Sequence, residues 1–108
     1  EDRDRVRSLY GNVLRLAGEA PERCTSEIAK KILALLFETD AMWAIIPIQD
    51  YLAINDHTAA KDFMSERINY PDNPNHTWSY RLHLPLEEIL RKNTFNTTLG
   101  ELIKNSGR

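Results

Sequence analysis

Cysteine is nearly absent. Cys24 alone stands in 108 residues, so an internal disulfide is impossible and the usage fits a reducing compartment. Glycine is scarce too, and none of the four builds a phosphate-cradling loop. No apolar run approaches the length that spans a bilayer, and no signal-peptide pattern is present, so membrane association is not expected. Charge of one sign is missing: 14 Lys plus Arg against 16 Asp plus Glu leave a net charge of -2. A nucleic-acid partner demands a basic face, so none is expected. His57, His76 and His83 show no metal-ligand spacing, and Cys24 is far from them in sequence, so neither a metal nor another cofactor is expected. Ser26, Ser65, Ser79 and Ser106 lie in no nucleophile-elbow pattern. Asp56 beside His57 reads as a loop pair, because adjacent side chains rarely face each other productively. The chain therefore contains no complete catalytic set of its own.

What is present suits one small domain or part of one, with a modest core and an ordinary 42% of hydrophobic residues. Val6, Leu9, Val13, Leu14 and Ala17 recur at helical spacing and predict a helix over 2–17, stopped by Gly18 and Pro21. Thr25 or Ser26 caps a second helix whose broad apolar face is Ile28, Ile32, Leu33, Leu35, Leu36 and Phe37. Residues 43–46 are continuously apolar and suit a strand buried on both faces, although length alone leaves a helix open. A short helical turn over 50–54 comes next. Residues 58–68 hold good helix formers on a weak stripe, and 70–75 form a loop held extended by Pro71 and Pro74. Residues 78–84 alternate as a strand or an extended arm. Pro85 opens a helix over 86–92, and Asn96 or Thr97 caps a last helix with the stripe Leu99, Leu102 and Ile103.

Two stretches carry more than fold information. Residues 42–54, MWAIIPIQDYLAI, end an apolar run at Pro47 and meet the polar pair Gln49 and Asp50. Asp50 reads either as an active-site group at a strand end or as a cap on the adjoining turn. Residues 66–81, ERINYPDNPNHTWSYR, combine two prolines with tyrosines, a tryptophan and several amides. Arg67 and Asn69 on a proline-stiffened loop present fixed donors to hydroxyl groups. Tyr70, Trp78 and Tyr80 offer flat faces on which a sugar ring packs. The simpler alternative makes Trp78 and Tyr80 anchors of the arm on the core, and Arg67 a partner of Asp50 or Glu66.

At these residues the chain resembles the amylomaltase, or disproportionating-enzyme, family of 4-α-glucanotransferases, glycoside hydrolase family 77. The first stretch matches the form W-x-x-x-P-x-Q-D-x-L, and the second matches R-x-N-x-P followed by N-P-N-H-x-W-x-Y-R. The second form is closest to the larger bacterial and plant cytosolic members. Asp72 stands where shorter members have glycine, so the likeness is to a subgroup. The resemblance implies a (β/α)8 barrel that moves α-1,4-glucan segments between maltooligosaccharides by a retaining double displacement, in the cytoplasm. It also implies that the nucleophile, the acid/base glutamate and a third aspartate lie upstream of Glu1, so none of the catalytic residues is here. An abrupt, helix-like start at 1–6 agrees with a cut from something longer.

On this likeness the chain divides into two helices over 1–41, the last barrel strand and turn over 42–54, a cleft loop and arm over 55–84, and closing helices over 85–108. Asn69 becomes the candidate sugar contact. Arg67, Tyr70 and Pro71 shape its loop, and Gln49 and Asp50 orient it from behind. A barrel strand without neighbours leaves backbone groups unpaired, which is costly when buried. The isolated chain is therefore expected to be mostly α, with one or two short strands, hiding the 43–46 run in helix packing, pairing it in a homodimer, or refolding it. A small helical module that binds a protein partner is the competing reading.

Overall fold

The computed structural model describes residues 2–108; Glu1, the first residue of the abrupt start, lies outside them. Five α-helices occur in order: α1 (Asp2–Ser8), α2 (Ser26–Phe37), α3 (Ile48–Leu52), α4 (Leu86–Arg91) and α5 (Asn93–Asn105). A π-helical turn, Leu9–Val13, extends α1, and a 3-10 turn, Phe63–Glu66, precedes the proline-rich loop. No strand occurs among the described residues.

The helices start where side chains or prolines license them. Thr25 Oγ1 accepts from the Ile28 N–H at 3.4 Å and caps α2, and Glu27 in the first turn faces the positive end of its dipole. Pro47 precedes α3 and Pro85 precedes α4, and neither has an N–H for the first turn to leave orphaned. At the far end of α2 the carbonyls are taken by an arginine from the other end of the chain. Arg108 Nε donates to Phe37 O at 2.8 Å, and its Nη2 donates to Thr39 O at 2.7 Å and Ala41 O at 2.8 Å. The core lies between α2, α3 and α5: Ala29, Leu33 and Phe37 meet Leu52, Ile54 and Phe95. Ala44, Ile46, Leu82, Ile89, Leu99 and Leu102 pack around them.

Several expectations fail for identifiable reasons. The first helix stops at the π turn rather than at residue 17. A π turn holds an extra residue and rotates the residues after it by about 100° relative to an unbroken helix. Leu14 is thereby turned inward, while Val6, Leu9 and Val13 stay exposed. Arg15 then takes a left-handed φ of 53° and ends any continuation. On α2 only the Ala29–Leu33–Phe37 line is buried, and Leu35 and Leu36 lie open. Residues 58–68 yield just the 3-10 turn. Asn96 does not cap α5, which begins three residues earlier; its amide donates to Ile89 O at 3.0 Å and Leu90 O at 3.3 Å and closes the end of α4 instead.

The 43–46 run is not a strand, and only half of it is hidden. Ala44 and Ile46 pack on the core, while Trp43 and Ile45 are 73% and 88% exposed. The alternation survives without the pairing, since no strand occurs among the described residues. The 78–84 arm likewise forms no strand, and Trp78, for which anchoring is the simpler expectation, is 75% exposed. The result is an open body. Its radius of gyration is 15.5 Å, against about 13 Å for a close-packed chain of this length. Its accessible surface is 8791 Å², where a self-standing protein of its 12.5 kDa mass would expose about 6,200 Å².

Candidate functional site

The proline-rich loop holds its shape through its own side chains. Arg67 Nε donates to the Asn69 carbonyl at 3.0 Å, and the guanidinium lies over the Tyr70 ring, 4.7 Å from its centroid. Tyr70 is also met edge-on by His76, with ring centroids 4.7 Å apart, and its hydroxyl donates to Met64 O at 3.3 Å. His76 Nε2 sits 2.7 Å from Ile68 O; a carbonyl only accepts, so that nitrogen carries the proton. Two tight turns come next, with Asn73 N bonding Tyr70 O at 3.0 Å and His76 N bonding Asn73 O at 3.1 Å. Asn73 Oδ1 accepts from Asn75 N at 3.1 Å, a local turn that asparagine favours.

Of the residues singled out in the sequence, Arg67, Asn69, Tyr70 and Pro71 come together here. Arg67 pairs with neither Asp50 nor Glu66; it engages the Asn69 carbonyl and the Tyr70 face. That leaves the Asn69 amide on the surface, without a hydrogen-bond partner among the described residues, at the rim of a stiffened turn. Gln49 and Asp50 are on α3, and no hydrogen bond or ion pair among the described residues joins them to the loop. Asp50 instead lines an apolar cavity of about 300 Å³ with Cys24, Ile32, Leu33, Leu36 and Ile46. Burial and the Asp50 charge push the Cys24 thiol above its usual range.

At the base of the loop stands a polar network that sequence pattern did not reveal. Tyr80 donates its hydroxyl to Glu66 Oε2 at 2.7 Å, and Glu66 Oε1 faces His83 Nδ1 at 3.4 Å. His83 Nε2 donates to Thr58 O at 2.9 Å. Thr58 is fully buried, and its hydroxyl donates to Leu52 O at 2.6 Å and Asn55 O at 3.1 Å. Partial burial, then the hydrogen bond to Glu66 and its charge, push the Tyr80 hydroxyl up to about 12, so it remains a donor at neutral pH. The one sequence signal was the placing of a glutamate and a tyrosine on either side of a proline-stiffened loop.

A family model described as 4-alpha-glucanotransferase matches residues 1–87, which include both motif stretches and the whole loop. The chain belongs to the 4-alpha-glucanotransferase family. It is 40% identical over its full 108 residues to the 4-alpha-glucanotransferase DPE2 of Oryza sativa subsp. japonica, of which it covers 11%. It is 34% identical over 77 residues to a 4-alpha-glucanotransferase of Chlamydia caviae, covering 70% of this chain and 14% of that protein. The corresponding figures for Chlamydia pneumoniae are 32% over 80 residues, 73% and 15%. The chain thus spans about a seventh or less of the curated glucanotransferases it matches. No solved structure matches it. Among the described residues no helix is long and apolar enough to cross a membrane, and no group of three or more His, Cys, Asp or Glu side chains converges.

Proposed function

We propose that this chain is a C-terminal segment of the catalytic barrel of a 4-α-glucanotransferase. The whole protein would transfer α-1,4-glucan segments between maltooligosaccharides by a retaining double displacement. In that reaction one carboxylate attacks the sugar and another protonates the leaving group, then activates the acceptor. Both belong to the portion of the family's length that this chain does not span, and the segment alone is inactive. Its contribution is the loop: Asn69 offers an amide donor and acceptor to sugar hydroxyls, held in place by Arg67, Tyr70 and Pro71. The exposed Trp78 adds a flat face for a sugar ring.

One observation carries this reading. The family match runs through an R-x-N-x-P loop in which every neighbour of Asn69 is tied down while its own amide stays open. The open body supports it further. Residues 43–46 alternate inward and outward with unpaired backbone, as a barrel strand does when its neighbours are on another part of the protein. In isolation the same edge is where two copies would pair, which is the dimer this reading allows. Gln49 and Asp50, one turn beyond that run, orient the cleft only once the barrel is assembled. A cytoplasmic location belongs to the same proposal, supported by the single cysteine.

The test is a transfer assay with maltotriose on two proteins, this chain alone and a whole-length protein that carries it. Glucose and longer maltooligosaccharides should form only with the long protein, and Asn69→Ala there should raise KM by about tenfold, the loss of one or two good hydrogen bonds. Turnover by the 108-residue chain would refute the placement of the carboxylates. An inactive long protein would refute the function.

A further inference from the structure

We propose that Glu66, Tyr80 and His83 are positioning residues: together they clamp the base of the 67–79 loop and hold Asn69 where the glucan meets it. The inference rests on the glucan-binding reading of that loop and adds residues which that reading does not use.

The geometry carries it. Glu66 and Tyr80 are 14 residues apart and meet at 2.7 Å, so their bond closes the loop as a ring. Closing such a loop removes chain freedom from every residue inside it. The closure is itself fastened to the core: Glu66 faces His83, His83 bonds the Thr58 carbonyl, and the Thr58 hydroxyl bonds the carbonyl of buried Leu52. Both Glu66 oxygens are engaged, and its side chain is only 16% exposed, so the carboxylate is not a solvated surface group. A carboxylate in that setting is costly without partners, which makes the joint specific rather than incidental. The polar ends of the three face one another and the Thr58 carbonyl rather than the Asn69 amide. Between the clamp and Asn69 stand only Arg67, bonded to the Asn69 carbonyl, and Ile68, whose carbonyl His76 holds. A shift at the base is therefore passed to Asn69 with little slack.

A network that merely supports the fold would make the same contacts, so the test separates the two roles. In a whole-length protein carrying this segment, with maltotriose as the probe, kcat and KM are measured for wild type, Tyr80→Phe, Asn69→Ala and the double variant, alongside thermal melts. Tyr80→Phe should raise KM by about fivefold with kcat within about twofold and a modest fall in the melting temperature, since one hydrogen bond to a charged group is lost. The double variant should be no worse than Asn69→Ala, because the clamp acts through Asn69 and the two effects are not independent. Should Tyr80→Phe fail to fold, Glu66→Gln takes its place: it keeps an acceptor for Tyr80 but removes the charge facing His83, and a smaller rise in KM is expected. An unchanged KM in an active enzyme, additive effects in the double variant, or a joint fall in kcat and melting temperature would each overturn the clamp while leaving the glucan reading standing. A wild type that does not act on maltotriose would overturn the glucan reading, and this inference with it.

Discussion

α1 with its π turn, and α2, both present apolar residues at helical spacing, but only α2 buries them. On α2 the line Ala29, Leu33, Phe37 meets Phe95 of α5 and Leu52 of α3, and the helix begins at a side-chain cap and ends on Arg108. On α1 and its π turn, Val6, Leu9 and Val13 lie about half exposed and no residue is buried. The difference is not in the stripe but in the presence of a partner. A stripe states what a helix can bury; a facing surface decides whether it does. The same holds for 43–46, whose Trp43 and Ile45 are left exposed by the described residues. In the proposed barrel these two regions would find their partners in the rest of the protein.

Truncating both stripes and monitoring urea denaturation measures how far they differ. Leu33→Ala in the buried line should cost about 2–5 kcal/mol, enough to unfold much of a small open chain. Thr58→Val comes next, because it leaves the Leu52 carbonyl without the buried hydroxyl that satisfies it; a loss of about 1–3 kcal/mol is expected. Thr25→Ala removes the cap of α2 and should cost about 1 kcal/mol. Val6→Ala on the exposed stripe should stay within about 0.5 kcal/mol. If Val6→Ala matched Leu33→Ala, α1 would have a partner that the structure does not contain. In a whole-length protein the Val6 effect should grow, and that growth would measure the missing contact.

A pH experiment sharpens the contrast between the core and the loop base. The folded state raises the Tyr80 hydroxyl from 10.0 to about 12, so it favours the protonated form. That contribution to stability is complete below pH 10 and is lost as pH rises from there through about 12. Denaturation midpoints for wild type should fall more steeply over that window than those for Tyr80→Phe. Identical slopes would mean that the Tyr80–Glu66 bond does not persist in solution. The smallest expected effect is at Cys24, where Asp50→Asn should speed alkylation modestly by removing the charge that helps hold the thiol protonated.

Much of the local structure was legible in the sequence. Thr25 and Pro85 mark helix starts because a side-chain acceptor and a missing N–H are local facts. The 70–75 turn was legible for the same reason, since Pro71 and Pro74 restrict their own neighbours. Arg67, Asn69, Tyr70 and Pro71 share one loop because they are neighbours in the chain. What escaped depends on residues far apart in the chain. The Glu66–Tyr80–His83–Thr58 joint and the Arg108 grip on the end of α2 have no periodicity to announce them. Asn96 has the chemistry of a cap, and only the packing of α4 on α5 determined which helix it would cap.

Sequence alone was enough for the starts of α2 and α4, the stiff loop and membership of the 4-alpha-glucanotransferase family, because each rests on short-range stereochemistry or on motif identity. The tertiary structure alone decided which apolar stripes are buried, which tryptophans face water and how the loop base is fastened. Burial and long-range hydrogen bonds need a partner surface, and a linear pattern of residue types does not say whether one is present.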